Sequence, residues 1–294
     1  MDASDARAVP TDLAALAAAL ATVVAWGSAF VGIRAAGKEL SPGSIALGRL
    51  LVSFTLLGGV ALVRREPLPG RRDLLAIAAY GVLWLGVYSV SLNAAERRVD
   101  AGTAAMLINA GPILIAVLAG VFLREGFPPW LFAGAAVAFA GCVLIGVGNA
   151  QTSSRSGVGI VLLVLAAVVY ASAVVIQKPV LARVSPFQVT WLGCAAATIA
   201  CLPLAPRFAS DVSGAGASAL AWTAYLGLVP TTLGFLTWGF ALRRMSAGRL
   251  ASIAYLIPVA AVLLAWAVLD ESPPGLAIAG GALCLAGVWL ARRR

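Results

Sequence analysis

Tyr80, Trp84, Tyr88 and Ser91 are spaced by four, four and three residues, so on an α-helix they share one face. That face offers two phenol rings, an indole and a hydroxyl. It can stack on a flat group, receive a cation on its ring faces and donate or accept hydrogen bonds. Such chemistry holds an elongated organic solute; it contains no nucleophile beside a base. Ordinary core packing is the alternative, or for Tyr80 a place in an interfacial aromatic belt. Trp84 and Tyr88 lie too deep in their apolar segment for that belt. Trp26, Tyr170 and Trp238, with Ser28, Gln177, Thr231 and Thr232, are further polar or aromatic candidates inside apolar segments. Each hydroxyl among them could instead bond its own helix backbone.

Pro112 and Pro258 fall near the middle of their apolar segments. A proline there frees the carbonyl four residues earlier, and in a membrane that carbonyl needs a partner or a water-filled cavity. Asn109 and Tyr255 lie one turn before the two prolines, at a depth where an unpaired amide is costly. These positions predict a gate or a kink. Arg49 is the charge well inside a segment, and we expect a structural role for it, fixing two helices or reaching toward the surface. Glu125 and Glu271 are expected to bond to backbone at a helix end or to a nearby arginine.

What is missing narrows the chemistry further. All 12 acidic residues sit at segment ends or in loops, and there is no histidine. Proton exchange against cationic drugs through a buried carboxylate therefore has no group to use. The same lack argues against an intramembrane protease, and the short loops argue against a lipid-modifying transferase. Cys142, Cys194, Cys201 and Cys284 form no CxxC and read as small packing residues, so no metal and no cofactor is expected.

The elements that must position these residues follow from composition. The chain of 294 residues is 61% hydrophobic and 11% charged, and apolar stretches of about twenty residues recur along it, the length that spans a bilayer. We predict an all-α membrane protein of ten transmembrane helices at 13–36, 42–63, 74–95, 101–123, 128–147, 157–176, 187–206, 218–241, 248–269 and 274–291. The net charge of +9 sits at segment ends, where it sets orientation, and does not indicate a nucleic-acid partner. With both termini cytoplasmic, 14 Lys and Arg face the cytoplasm and six face outward, as the positive-inside rule requires. The polar 149–157 segment is then an external linker.

The chain also repeats itself. At an offset of 146, residues 95–144 match 241–290 at 18 of 50 positions, and 11 of the matches are not alanine. Arg97, Gly102, Pro112, Glu125, Gly134 and Gly141 fall on Arg243, Gly248, Pro258, Glu271, Gly280 and Gly287. An offset of 144 sets Ser41-Pro42 on Ser185-Pro186. Residues 13–147 and 157–291 thus read as two repeats of five helices. Five is odd, so consecutive copies are inverted relative to each other, an arrangement suited to alternating access.

Ala101-Gly102, Pro112, Phe122-Leu123-Arg124-Glu125, Gly134 and Gly141 resemble the repeat of the EamA family of drug/metabolite transporters. The pattern recurs at Ala247-Gly248, Tyr255 to Pro258, Leu269 to Glu271, Gly280 and Gly287, while Trp26-Gly27 and Gly48-Arg49-Leu50 are similar to the family's opening. The resemblance implies a central cavity, export of small metabolites and often of amino acids, and a place in the bacterial inner membrane. The expected partners are a small-molecule substrate and the lipid bilayer, with the protein a monomer. Export of another metabolite or drug is the alternative.

Overall fold

The computed structural model describes residues 12–95, 98, 107–148, 157–269 and 275–291. Regular structure among these residues is entirely helical. Eight helical segments are long and apolar enough to cross a membrane: Leu13–Ala36, Pro42–Arg64, Arg71–Ala95, Pro129–Val147, Gly157–Val180, Pro186–Gly214, Ala217–Arg244 and Ala247–Leu264. Gly111–Phe122 and Gly275–Ala291 are shorter apolar helices. Helices satisfy every interior backbone group within the segment, as an apolar surrounding demands. The linker 149–156 and Glu271 lie outside the described residues.

Helix starts follow local chemistry. Ser41 and Ser185 each cap a helix that opens on proline, accepting from Ser44 N and Gln188 N. Proline fits there because its missing N–H would have been unpaired anyway. Ser246 caps Ala247–Ala254 through Arg249 N in the same way.

The structure corrects three expectations. Pro112 and Pro258 do not kink continuous helices; both follow a break. Asn109 and Ala110 form a turn before Gly111–Phe122, and Tyr255 and Leu256 form one between Ala247–Ala254 and Ile257–Leu269. Each proline is the second residue of a new helix, where it forfeits no backbone bond. The second correction concerns the aromatic face. Gly81–Tyr88 is π-helical, so Trp84 and Tyr88 do not sit on a regular α-helical face. Gly227–Leu233 is π-helical too, beginning 146 residues later. Third, the segment expected at 187–206 continues through a 3-10 turn at Leu202–Leu204 into the helix Ala205–Gly214.

Glycine lets the backbones meet. A Cβ on Gly81 would overlap the backbone of Gly193, and one on Gly227 would lie 2.9 Å from the Arg49 carbonyl. Helices Pro129–Gly148 and Gly275–Ala291 pack along each other, with Gly134 against Gly287 and Gly141 against Gly280. Such small-residue contacts replace the hydrophobic drive that lipid does not supply. Cys142 and Cys284 fit into this seam as free thiols, their sulfurs 3.6 Å apart.

Polar contacts gather at two ends of the bundle. At one, Arg183 pairs with Asp73, Ser185 donates to Glu66 and Arg244 pairs with Asp12. At the other, Asp211 accepts from Ser41 N and Ser44 Oγ and pairs with Arg207, while Glu39 accepts from Gly216 N.

Candidate functional site

The aromatic residues singled out by type converge. Trp84 lies within ring contact of Trp26, Tyr80, Tyr170, Phe235 and Trp238, at centroid separations of 4.8 to 5.9 Å. Trp26 also meets Phe235 and Trp238, and Tyr88 meets Tyr170 at 5.8 Å. The rings come from four segments spanning both halves. They fill the space between Leu13–Ala36, Arg71–Ala95, Gly157–Val180 and Ala217–Arg244, touching one another with no gap for a solute at Trp84, which is 2% exposed. Edge and tilted contacts of this kind each add about 0.5–1.5 kcal/mol beyond burial.

Several polar atoms inside this cluster have no partner. The Tyr80 hydroxyl, both polar atoms of the Gln177 amide and the Trp238 indole nitrogen are buried and unbonded. Leaving such a group dry costs about 1–3 kcal/mol. Tyr80 and Gln177 lie close enough to act on each other electrostatically, so the polar atoms gather at one side of the rings. Tyr255, fully buried beside the second proline break, has an unbonded hydroxyl as well. Ser91 and Asn109 are buried on the far side of Tyr88 in sequence, at 6% and 9% exposure.

The second π-helical segment is tied together by side chains. Pro230 has no N–H to offer the Leu226 carbonyl four residues earlier, and the Thr231 hydroxyl donates to that carbonyl instead, at 2.8 Å. Arg49 Nε in turn donates to Thr231 Oγ1 at 2.7 Å. Thr232 bonds the Gly227 carbonyl and Ser53 Oγ. Trp26 closes the arrangement by donating to the Pro230 carbonyl. Ser28 accepts from the Tyr225 hydroxyl at 2.7 Å.

Glu125 bonds backbone. Its carboxylate accepts from Ala247 N at 2.9 Å and Gly248 N at 3.3 Å, an acid on a helix N-terminus. Lys178 donates to the carbonyls of Leu242 and Met245 just before that point. One turn between two helices is therefore held from both sides by opposite charges. A small pocket lies beside it, lined by Glu125, Pro128, Leu131, Ser246 and Arg249.

Sequence reasoning passed over Phe235 and Lys178. Phe235 stands three residues before Trp238 and shares its helical side, a signal that was available. Lys178 looks like an ordinary charge at a segment end, and only the structure brings it to the Leu242 and Met245 carbonyls.

Comparison with known proteins agrees with this architecture. Residues 13–147 and 157–293 each match the model of the EamA-like transporter family. A probable terminal-alkyne amino-acid exporter of Streptantibioticus cattleyicolor is 39% identical over 276 residues, covering 93% of this chain and 91% of the relative. A probable amino-acid metabolite efflux pump of Salmonella typhimurium is 25% identical, covering 92% of each chain. One crystal structure is alike in fold, with a TM-score of 0.78 at 19% identity over 96% of this chain and 97% of its own.

Proposed function

We propose, from the premise that the chain belongs to the EamA-like transporter family, that it exports amino acids by alternating access around the Trp84 cluster. It is a transporter and not an enzyme. The substrate class rests on the relatives whose names describe amino-acid export, and on a cluster of indoles and phenols that suits a zwitterion with an apolar side chain.

The architecture is read as ten membrane helices in two inverted repeats, 13–147 and 157–291. The observation that carries it is an exchange of contacts between the halves. Under the offsets of 144 and 146, Trp26 corresponds to Tyr170, Pro230 to Trp84 and Gly234 to Tyr88. Trp26 bonds the Pro230 carbonyl, and the equivalent pair, Tyr170 and Trp84, is in ring contact at 4.8 Å. Trp26 also crowds Gly234, and the equivalent pair, Tyr170 and Tyr88, is in ring contact. Gly81 against Gly193 likewise exchanges with Gly227 against Arg49. Such a pairwise exchange is what a two-fold axis between the copies would give, and for five-helix copies that axis would lie in the membrane plane.

The end bearing Arg64, Arg183 and Arg244 is read as cytoplasmic from the distribution of Lys and Arg. In that orientation Glu125 and Lys178 hold the cytoplasmic side of the pathway shut, with Pro112 and Pro258 at the breaks that let the helix halves move. Glu271 is the counterpart at the outer side. Trp26, Tyr80, Trp84, Tyr88, Ser91, Asn109, Tyr170, Thr231, Trp238 and Tyr255 line the route when it opens. The protein works as a monomer in the bacterial inner membrane and needs no cofactor.

Export from intact cells tests the reading. Cells that express the chain and are loaded with labelled amino acids should lose label faster than cells carrying an empty vector. Equal loss for every amino acid in the panel removes the proposed substrate class.

A further inference from the structure

Arg49 lies seven residues into the helix Pro42–Arg64, about 10 Å along its axis. Among the described residues no carboxylate pairs with it. The titratable groups beside it are the Tyr88 phenol and the Cys194 thiol, and neither is a carboxylate. Its described hydrogen bond is the one from Nε to Thr231 Oγ1. The Thr231 proton is already engaged with the Leu226 carbonyl, so Thr231 accepts from Arg49 and fixes the direction of the guanidinium. The two terminal nitrogens, with four N–H groups in a planar fork, have no described bond. Arg49 and Tyr88 are each only partly buried.

The repeat supplies a control within the molecule. At the offset of 144, Arg49 corresponds to Gly193. The backbone contact made there is the same in both halves: Gly81 meets Gly193, and Gly227 meets Arg49. One half accomplishes this packing with no side chain at all, so the fold does not require a cation at this place. A guanidinium held at one end and with no described partner at the other is arranged to receive an anion, and its fork matches a carboxylate.

We infer that Arg49 is the carboxylate-binding group of the transport site, and that the substrate's side chain then lies against Tyr88. This deepens the amino-acid reading and rests on it. The Tyr88 ring continues into Tyr170 and Trp84, so a substrate anchored at Arg49 reaches the aromatic cluster directly.

The test compares one side chain with and without its carboxylate. Purified wild-type, Arg49→Gln and Arg49→Lys proteins are checked for folding by size-exclusion chromatography and thermal unfolding. Binding of phenylalanine, phenylalanine amide and phenylpropionate is followed by intrinsic tryptophan fluorescence, and counterflow of labelled phenylalanine is measured in proteoliposomes. Wild type should bind the two acids at least about tenfold tighter than the amide, and Arg49→Gln should lose that preference. Arg49→Lys should retain part of it, and it carries the test if the glutamine variant does not fold. A folded variant with the wild-type ratio of acid to amide overturns the inference. Acid preference that depends on Arg49 without phenylalanine counterflow would retain the anion site and remove the amino-acid reading instead.

Discussion

The Trp26 indole N–H donates to the carbonyl of Pro230 at 3.0 Å. This bond joins the first helix of one half to a π-helical turn of the other. The same indole occupies the space that any side chain at Gly234 would need, 2.6 Å from the position of its Cβ. A movement of Leu13–Ala36 relative to Ala217–Arg244 must therefore break this bond and disturb the rings around Trp84 together. That coupling makes the aromatic cluster a candidate gate as well as a binding surface.

Tyr88 and Trp84 should respond differently to truncation. Tyr88 is partly buried at the edge of the cluster, so Tyr88→Ala should fold and transport more slowly. Trp84 is 2% exposed and touches five rings, so Trp84→Ala should also lose about 3–5 kcal/mol of stability. Thermal unfolding and initial transport rates check both. A stable Tyr88→Ala protein with the wild-type rate contradicts the assignment of this face to the route.

Glu125→Gln keeps the shape at the Ala247 turn and removes the charge that faces the helix N-terminus. Both bonds from Ala247 N and Gly248 N should weaken, by about 1 kcal/mol or more. The closed state at that end then loses population. A cysteine placed at Ser246 should react with a water-soluble maleimide several-fold faster in the variant than in the otherwise identical parent. Equal labelling rates argue that Glu125 does not hold this end shut.

Gly141→Ala tests the seam between Pro129–Gly148 and Gly275–Ala291. The new methyl would come within 2.5 Å of the Gly280 carbonyl oxygen, and the two backbones would have to separate. We expect a loss of about 1–3 kcal/mol and a lower yield of folded protein. Gly59→Ala, inside the helix Pro42–Arg64 with open space around it, is the control and should cost nothing, or raise stability by up to about 1 kcal/mol.

Much of this arrangement is legible in the sequence. Segment lengths follow from apolar runs, and Ser41-Pro42 and Ser185-Pro186 announce their helix starts through capping chemistry. Pro112 and Pro258 each stand second in a helix that follows a turn. What periodicity misses is the kind of interruption, because a proline in an apolar run looks the same whether it bends a helix or opens a new one. The π-helical turns were also hidden: nothing in the spacing of Tyr80, Trp84 and Tyr88 distinguishes an α-turn from a wider one. The clustering of Trp26 with Trp238 and Phe235 depends on long-range packing, which the repeat suggests only after the contacts are known. Arg49 is expected to be structural because the matching position in the EamA family recurs whatever the substrate; that its terminal nitrogens meet no bonding partner among the described residues is a property of the folded molecule.

Topology is open to a direct check. With the 14-to-six division of Lys and Arg, both termini should be cytoplasmic and the 149–157 linker external. A cysteine at Ser154, in a background lacking the native thiols, should react with a membrane-impermeant maleimide in intact cells. Labelling only after lysis reverses the orientation.

Counterflow in proteoliposomes tests the central claim most directly. Vesicles holding the purified protein are preloaded with unlabelled phenylalanine and diluted into trace label at equal pH on both sides. The account predicts transient accumulation of label, abolished in vesicles without protein. It also predicts no further accumulation when a pH gradient is imposed, because all 12 acidic residues lie at segment ends or in loops. Absence of counterflow across a panel of amino acids contradicts the carrier reading. Uphill uptake driven by the pH gradient, and lost in Glu125→Gln or Glu271→Gln, contradicts facilitation.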